Sequence, residues 1–99
     1  MTKFNFSLER LDNKNAMVMR TPNSVVLFSY STPVAKVVGD KMIIAEDATY
    51  SKTTSKHVGQ FVREYGPSEF YGKTAGQLLK EAKAKKNPRL VYDMVINEG

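Results

Sequence analysis

The apolar residues change their period after Asp47, and that change decides the fold class. Before it, hydrophobic side chains fall in short runs or alternate with polar ones; after it they recur at spacings of three and four. Phe4, Phe6 and Leu8 alternate with Asn5, Ser7 and Glu9, the mark of a strand with one wet face, and Asp12-Asn13-Lys14-Asn15 reads as a turn. Residues 16–20 are a short apolar run closed by Thr21-Pro22-Asn23. Residues 24–30 include Val25, Val26, Leu27 and Phe28, β-branched and aromatic enough for a central strand. Ser31-Thr32-Pro33 is expected to turn the chain again. Two further runs, 34–38 and 41–46, flank Gly39-Asp40, a two-residue loop of the kind that closes hairpins with a positive φ.

Past Asp47, the residues Val58, Phe61, Val62 and Tyr65 lie at i, i+3, i+4 and i+7, with Lys56, Gln60 and Arg63 on the other side and Gly66-Pro67 as a stop. This predicts a helix over about 53–65. A second stripe, Ala75, Leu78, Leu79 and Ala82, is cut off by Asn87-Pro88, with Thr74 as its N-cap, and predicts a helix over about 74–86. Leu90, Tyr92, Met94 and Ile96 then alternate with Val91, Asp93 and Val95, which predicts a last strand over about 90–96. With strands over about 3–46, residues 1–99 are expected to form a single α+β domain: an antiparallel β-meander of about five to six strands with two helices packed on one face.

At 99 residues there is one hydrophobic core and no room for the βα repeats of a dinucleotide fold. The chain has no cysteine, which excludes disulfides, thiolate zinc sites and thiol nucleophiles, and its one histidine, His57, suits a zinc site poorly. No Gly-x-Ser-x-Gly elbow is present. Glu46-Asp47 reads as a pair of solvated turn residues. Gly72-Lys73-Thr74 resembles the end of a phosphate-binding loop, but Pro67 stands where the first glycine must be, so Gly72 is expected simply to close a turn. The expectation is therefore a protein that is not an enzyme and takes no cofactor or metal. No stretch approaches the roughly 18 apolar residues of a membrane span, and no apolar run follows Lys3, which points to the cytoplasm and no membrane.

Charge is uneven. Residues 1–50 hold six Lys/Arg against five Asp/Glu, and residues 51–99 hold nine against five. Lys73, Lys80, Lys83, Lys85, Lys86 and Arg89 share the stretch 73–89 with Glu81 alone, an electrostatic footprint for nucleic acid or an acidic protein surface, and equally for a solvated helix face.

The first helix has a start of its own kind. Tyr50-Ser51-Lys52-Thr53-Thr54-Ser55-Lys56-His57 is rich in hydroxyls and has no acidic residue to offset the positive end of the helix. None of the possible caps is followed three residues on by Glu or Gln. Ser51, Lys52, Thr53, Thr54, Lys56 and His57 are accordingly candidates for an anion or phosphate site, against the plainer reading of a Ser51 or Thr53 cap with the lysines in water. Tyr65, Phe70 and Tyr71 lie near the basic stretch and would either stack unpaired bases or fold back over the core.

The segments Phe28-Ser29-Tyr30-Ser31-Thr32-Pro33-Val34-Ala35 and Tyr50 to His57 resemble a small domain that recurs in phage and mobile-element proteins, with a Ser-Tyr-x-Thr-x-Val-Ala strand, a Tyr-Ser-x-Thr-Thr-x-x-His helix start and an aromatic near Phe61. The resemblance covers about residues 24–66. It implies a phage accessory protein, cytoplasmic during infection and without enzymatic activity. Two functions are expected to compete: a basic module that engages nucleic acid or a phosphate-bearing ligand, and a phage-encoded inhibitor that docks its basic face on a host or defence protein, in the manner of an anti-CRISPR. A homodimer through an edge strand is also open to so short a meander.

Overall fold

The computed structural model describes residues 16–30 and 32–96 and the backbone of residues 7–10. The protein is an α+β fold built on a six-stranded sheet in sequential order: β1 (Ser7–Arg10), β2 (Ala16–Arg20), β3 (Val25–Ser29), β4 (Thr32–Val38), β5 (Lys41–Ala45) and β6 (Leu90–Asp93). Between β5 and β6 the chain forms a 3-10 turn (Glu46–Thr49), helix α1 (Lys52–Tyr65), a second 3-10 turn (Ser68–Phe70) and helix α2 (Ala75–Ala84). Phe4 to Phe6 and the turn expected at Asp12 to Asn15 lie outside the described residues.

The first five strands form the antiparallel meander that the alternation predicts. Gly39, with φ of 61°, closes the β4–β5 hairpin at the expected place. The preceding turn comes earlier than expected. It is centred after Ser29, where Tyr30 takes a left-handed φ of 52°, while Thr32 and Pro33 already belong to β4. Pro33 fits there because the register shifts beside it: Leu27 pairs with Ala35 and Phe28 with Pro33, which leaves Val34 as the extra residue of a bulge. The bulge also explains why Val34 and Ala35, adjacent in sequence, are both buried.

The last strand joins the sheet in a different sense. β6 pairs with β5 in parallel, Met42 opposite Leu90 and Ala45 opposite Asp93, because two helices carry the chain back along the sheet before it re-enters. Strand pairing ends at Asp93, short of residue 96. Met94 and Val95 are exposed, and Ile96 is buried against Val26 and Ala45 on the sheet face opposite the helices.

Both helices cover one face, as expected. Val58, Phe61 and Val62 of α1 and Ala75, Leu78, Leu79 and Ala82 of α2 pack with Phe70 on Val18, Leu27, Val37, Met42, Ile44 and Leu90. Each fully buried Leu, Ile or Phe contributes about 1.5–3 kcal/mol relative to leaving it in water, so this layer is what holds the helix start in place. Phe70 belongs to this core, Tyr65 packs half-buried at 5.5 Å from the Phe61 ring, and only Tyr71 of the three loop aromatics stands out in solvent. Gly72, at φ of 83°, makes the turn before α2.

Candidate functional site

The end of β3 and the hydroxyl-rich segment from Tyr50 to His57 meet at the start of α1. Ser51 is the N-cap; its Oγ accepts from the backbone N–H of Thr54 at 3.1 Å and donates to Thr54 Oγ1 at 3.2 Å. Thr54 is buried and shares a hydrogen bond of 3.1 Å with Ser29 Oγ at the end of β3. Ser29 Oγ is in turn 2.9 Å from His57 Nδ1. A chain of three hydroxyls therefore runs from the helix cap to a buried imidazole. Burial lowers the pKa of His57 and holds the ring neutral. Its Nε2 has no hydrogen-bond partner among the described residues, and the ring lies 6.1 Å from that of Tyr30.

A serine beside a histidine invites comparison with nucleophilic catalysis. In such a pair the second imidazole nitrogen is oriented by a third group, and here that nitrogen is unpaired while the hydroxyl is also held by Thr54. The arrangement fits a buried strut between β3 and α1.

Ser29 and Thr54 of the strut line a cavity of about 260 Å³ together with Tyr30, Thr32, Val34, Asp47 and Tyr50. Tyr50 is 81% exposed and Tyr30 50%. Asp47 is exposed, and its carboxylate has no hydrogen-bond or ion-pair partner among the described residues. Asp47, read from the sequence as a solvated turn residue, is thus the charged group of this cavity.

The six residues expected at an anion site divide. Ser51, Thr54 and His57 turn inward into the hydroxyl chain, whereas Lys52, Thr53 and Lys56 face outward. With Ser55 and Thr74, these three line a surface groove of about 440 Å³. The first turn of α1 holds no acidic residue, and the amides of Lys52 and Thr53 have no intrahelical acceptor. Thr74 caps α2 in a reciprocal box with Gln77, so the second helix start is self-satisfied.

The basic stretch 73–89 also divides. Lys73 pairs with Glu81 at 2.7 Å, Lys83 with Glu46 at 2.9 Å, and Arg89 with Glu69. Lys83 also lies 5.2 Å above the Tyr92 ring, whose hydroxyl donates to Glu46 at 2.8 Å. Hydrogen bonds from Lys83 and Tyr92 hold the Glu46 carboxyl below its ordinary pKa, and those from Arg89 and Asn87 do the same for Glu69. Lys80, Lys85 and Lys86 have no acidic partner among the described residues, and neither have Lys52 and Lys56. The counter-charges Glu46 and Glu69 come from outside the stretch, which is why the sequence overstates its free charge.

A model described as a family of unknown function (DUF8033) matches residues 4–85. The chain belongs to the DUF8033 family. The match takes in the hydroxyl chain, the cavity above it and the groove beside it, and leaves Lys86, Arg89 and β6 outside the DUF8033 region. No curated protein and no solved structure matches the chain. No helix among the described residues is long and apolar enough to cross a membrane.

Proposed function

We propose that the protein is a non-enzymatic binding module for phosphate-bearing ligands, nucleic acid foremost, and that it holds the phosphate at the start of α1. The observation that carries this reading is the groove in which Lys52 and Lys56 stand one turn apart, without acidic partners among the described residues, at a helix start that has no acid of its own. Cations there are mildly unfavourable in the free protein, and an arriving phosphate offsets both them and the helix dipole. Lys80, Lys85 and Lys86 add cations that have no acidic partner among the described residues, while Lys73, Lys83 and Arg89 are already neutralised.

Docking on a host protein is the competing reading. It draws support from exposed apolar side chains, Met94 at 70% and Val95 at 67%, rather than from the basic face.

Fluorescence anisotropy with labelled single- and double-stranded DNA and RNA at two salt concentrations separates the two. Binding that weakens steeply as salt rises supports the phosphate reading; absence of binding to every nucleic acid at low salt overturns it.

A further inference from the structure

We infer that the cavity above the Ser29–His57 strut is a pocket for one unpaired nucleobase, selective for a base that presents hydrogen-bond donors to Asp47, of which guanine is the best match. The inference rests on the phosphate-binding reading and assigns the adjacent cavity to the same ligand.

Four observations converge. The cavity, at about 260 Å³, suits a single heterocycle. Two tyrosines line it from different elements, Tyr30 from the β3–β4 turn and Tyr50 from the residues ahead of α1, and both rings are largely free of the core. Stacking on such rings is the usual way a protein holds an unpaired base. Tyr30 is presented from a left-handed backbone at φ of 52°, a conformation unfavourable for a bulky side chain and one that persists where the surroundings enforce it. Finally, Asp47 brings a carboxylate to the same cavity with no partner among the described residues to neutralise it.

The carboxylate sets the selectivity. An ionised Asp only accepts hydrogen bonds, on two oxygens side by side. Guanine offers two parallel donors on its pairing edge, the ring N1–H and the 2-amino group, so a bidentate, charge-assisted contact forms. Guanine carries an acceptor, O6, on that edge too, but it lies beyond the donor pair, whereas adenine and the pyrimidines offer no two adjacent donors and set an acceptor against one of the carboxylate oxygens. A free ammonium group would also be drawn to Asp47 and the tyrosines, but Lys52 and Lys56 on the same helix start repel it. A ligand with a phosphate and a donor-bearing base satisfies both neighbouring surfaces: Thr53 lines the basic groove and Thr54, the next residue, lines the acidic cavity.

The test uses a labelled thymidine strand carrying one central guanine, inosine or adenine, with binding read by anisotropy. Inosine keeps N1–H and lacks the 2-amino group. The guanine strand is expected to bind about tenfold more tightly than the adenine strand, with inosine between them, as one bidentate contact implies. Asp47→Asn should bring the three strands to near parity while salt-dependent binding remains, and Tyr50→Ala should weaken all three. Both positions are exposed, so the variants should keep the fold, checked by circular dichroism. Equal affinities for the three strands in the unaltered protein, with binding lost on Lys52→Glu/Lys56→Glu, would overturn the base pocket and leave the phosphate reading standing. If no strand binds at low salt, the phosphate reading fails, and the pocket is then tested with guanosine and inosine, which carry no phosphate, through the ring resonances of Tyr30 and Tyr50. Resonances unmoved by guanosine would overturn the pocket as well.

Discussion

Ser29 Oγ lies 2.9 Å from His57 Nδ1, so the end of β3 and the first turns of α1 are fastened through a single hydroxyl that also bonds Thr54. Removing that hydroxyl leaves two buried polar groups short of a partner. Ser29→Ala should cost about 1–3 kcal/mol in urea unfolding, more than an ordinary hydrogen bond contributes, because the groups left behind are desolvated. Combined with His57→Leu, the loss should be less than additive. An additive result would mean that the two side chains do not act as a unit.

The buried imidazole gives stability a pH dependence of definite sign. Its folded pKa lies below the unfolded value of about 6.5, so below that pH the unfolded chain takes up a proton that the folded protein refuses. Stability should therefore fall as pH drops below about 6.5, and a His57→Gln variant should lack that part of the slope. The lowered carboxyls of Glu46 and Glu69 act in a separate and more acidic window: the stability they contribute is present above about 4.3 and is lost as pH falls toward their folded values. Urea unfolding from pH 7 to 3 distinguishes the two regimes.

Lysines that are free and lysines that are paired should respond differently to charge reversal. Lys52→Glu/Lys56→Glu should weaken nucleic-acid binding and reduce the salt slope by roughly 0.7 for each phosphate of a single strand that the protein no longer neutralises. Lys73→Glu and Lys83→Glu remove cations already matched by Glu81 and Glu46 and should change the slope less. Equal effects from both pairs would point to net charge alone.

α2 ends at Ala84 and is capped by Lys85, which sits at φ 57° and ψ 35°, the left-handed conformation that favours glycine after a helix. Lys85→Gly should stabilise the protein by about 0.5–1 kcal/mol by relieving that backbone. A rise in the thermal midpoint checks it, and a fall would indicate that the lysine side chain makes an interaction of greater worth.

The order of strands and helices was readable from period alone, since the Gly39-Asp40 hairpin and the Val58, Phe61, Val62, Tyr65 stripe each rest on residues close together in sequence. The direction of β6 was not readable. Alternation from Leu90 to Ile96 says that a segment is extended and gives no information on its neighbour, and it overran the true end at Asp93 because Ile96 is buried on the other face. The helix start stood out locally as hydroxyl-rich and free of acid, whereas its division into an inward chain and an outward groove depends on Ser29, which is distant in sequence. Asp47 read as a solvated turn residue and Tyr50 as the first residue of the hydroxyl-rich motif; neither pointed to a shared cavity, and only the fold brings them beside Tyr30.

The parallel entry of β6 has a consequence for how the chain acquires its shape. Every pairing among β1 to β5 is between neighbours in sequence, but Met42 meets Leu90 only after both helices have been laid down. The meander and helices leave the ribosome before the strand that completes the sheet, and closing that long loop carries an entropic penalty that the earlier hairpins avoid. Until Leu90 arrives, the outer edge of β5 is open. β6 thus acts as a seal on a sheet whose other pairings join neighbours in sequence, and a chain cut short before Leu90 would present the β5 edge to other molecules.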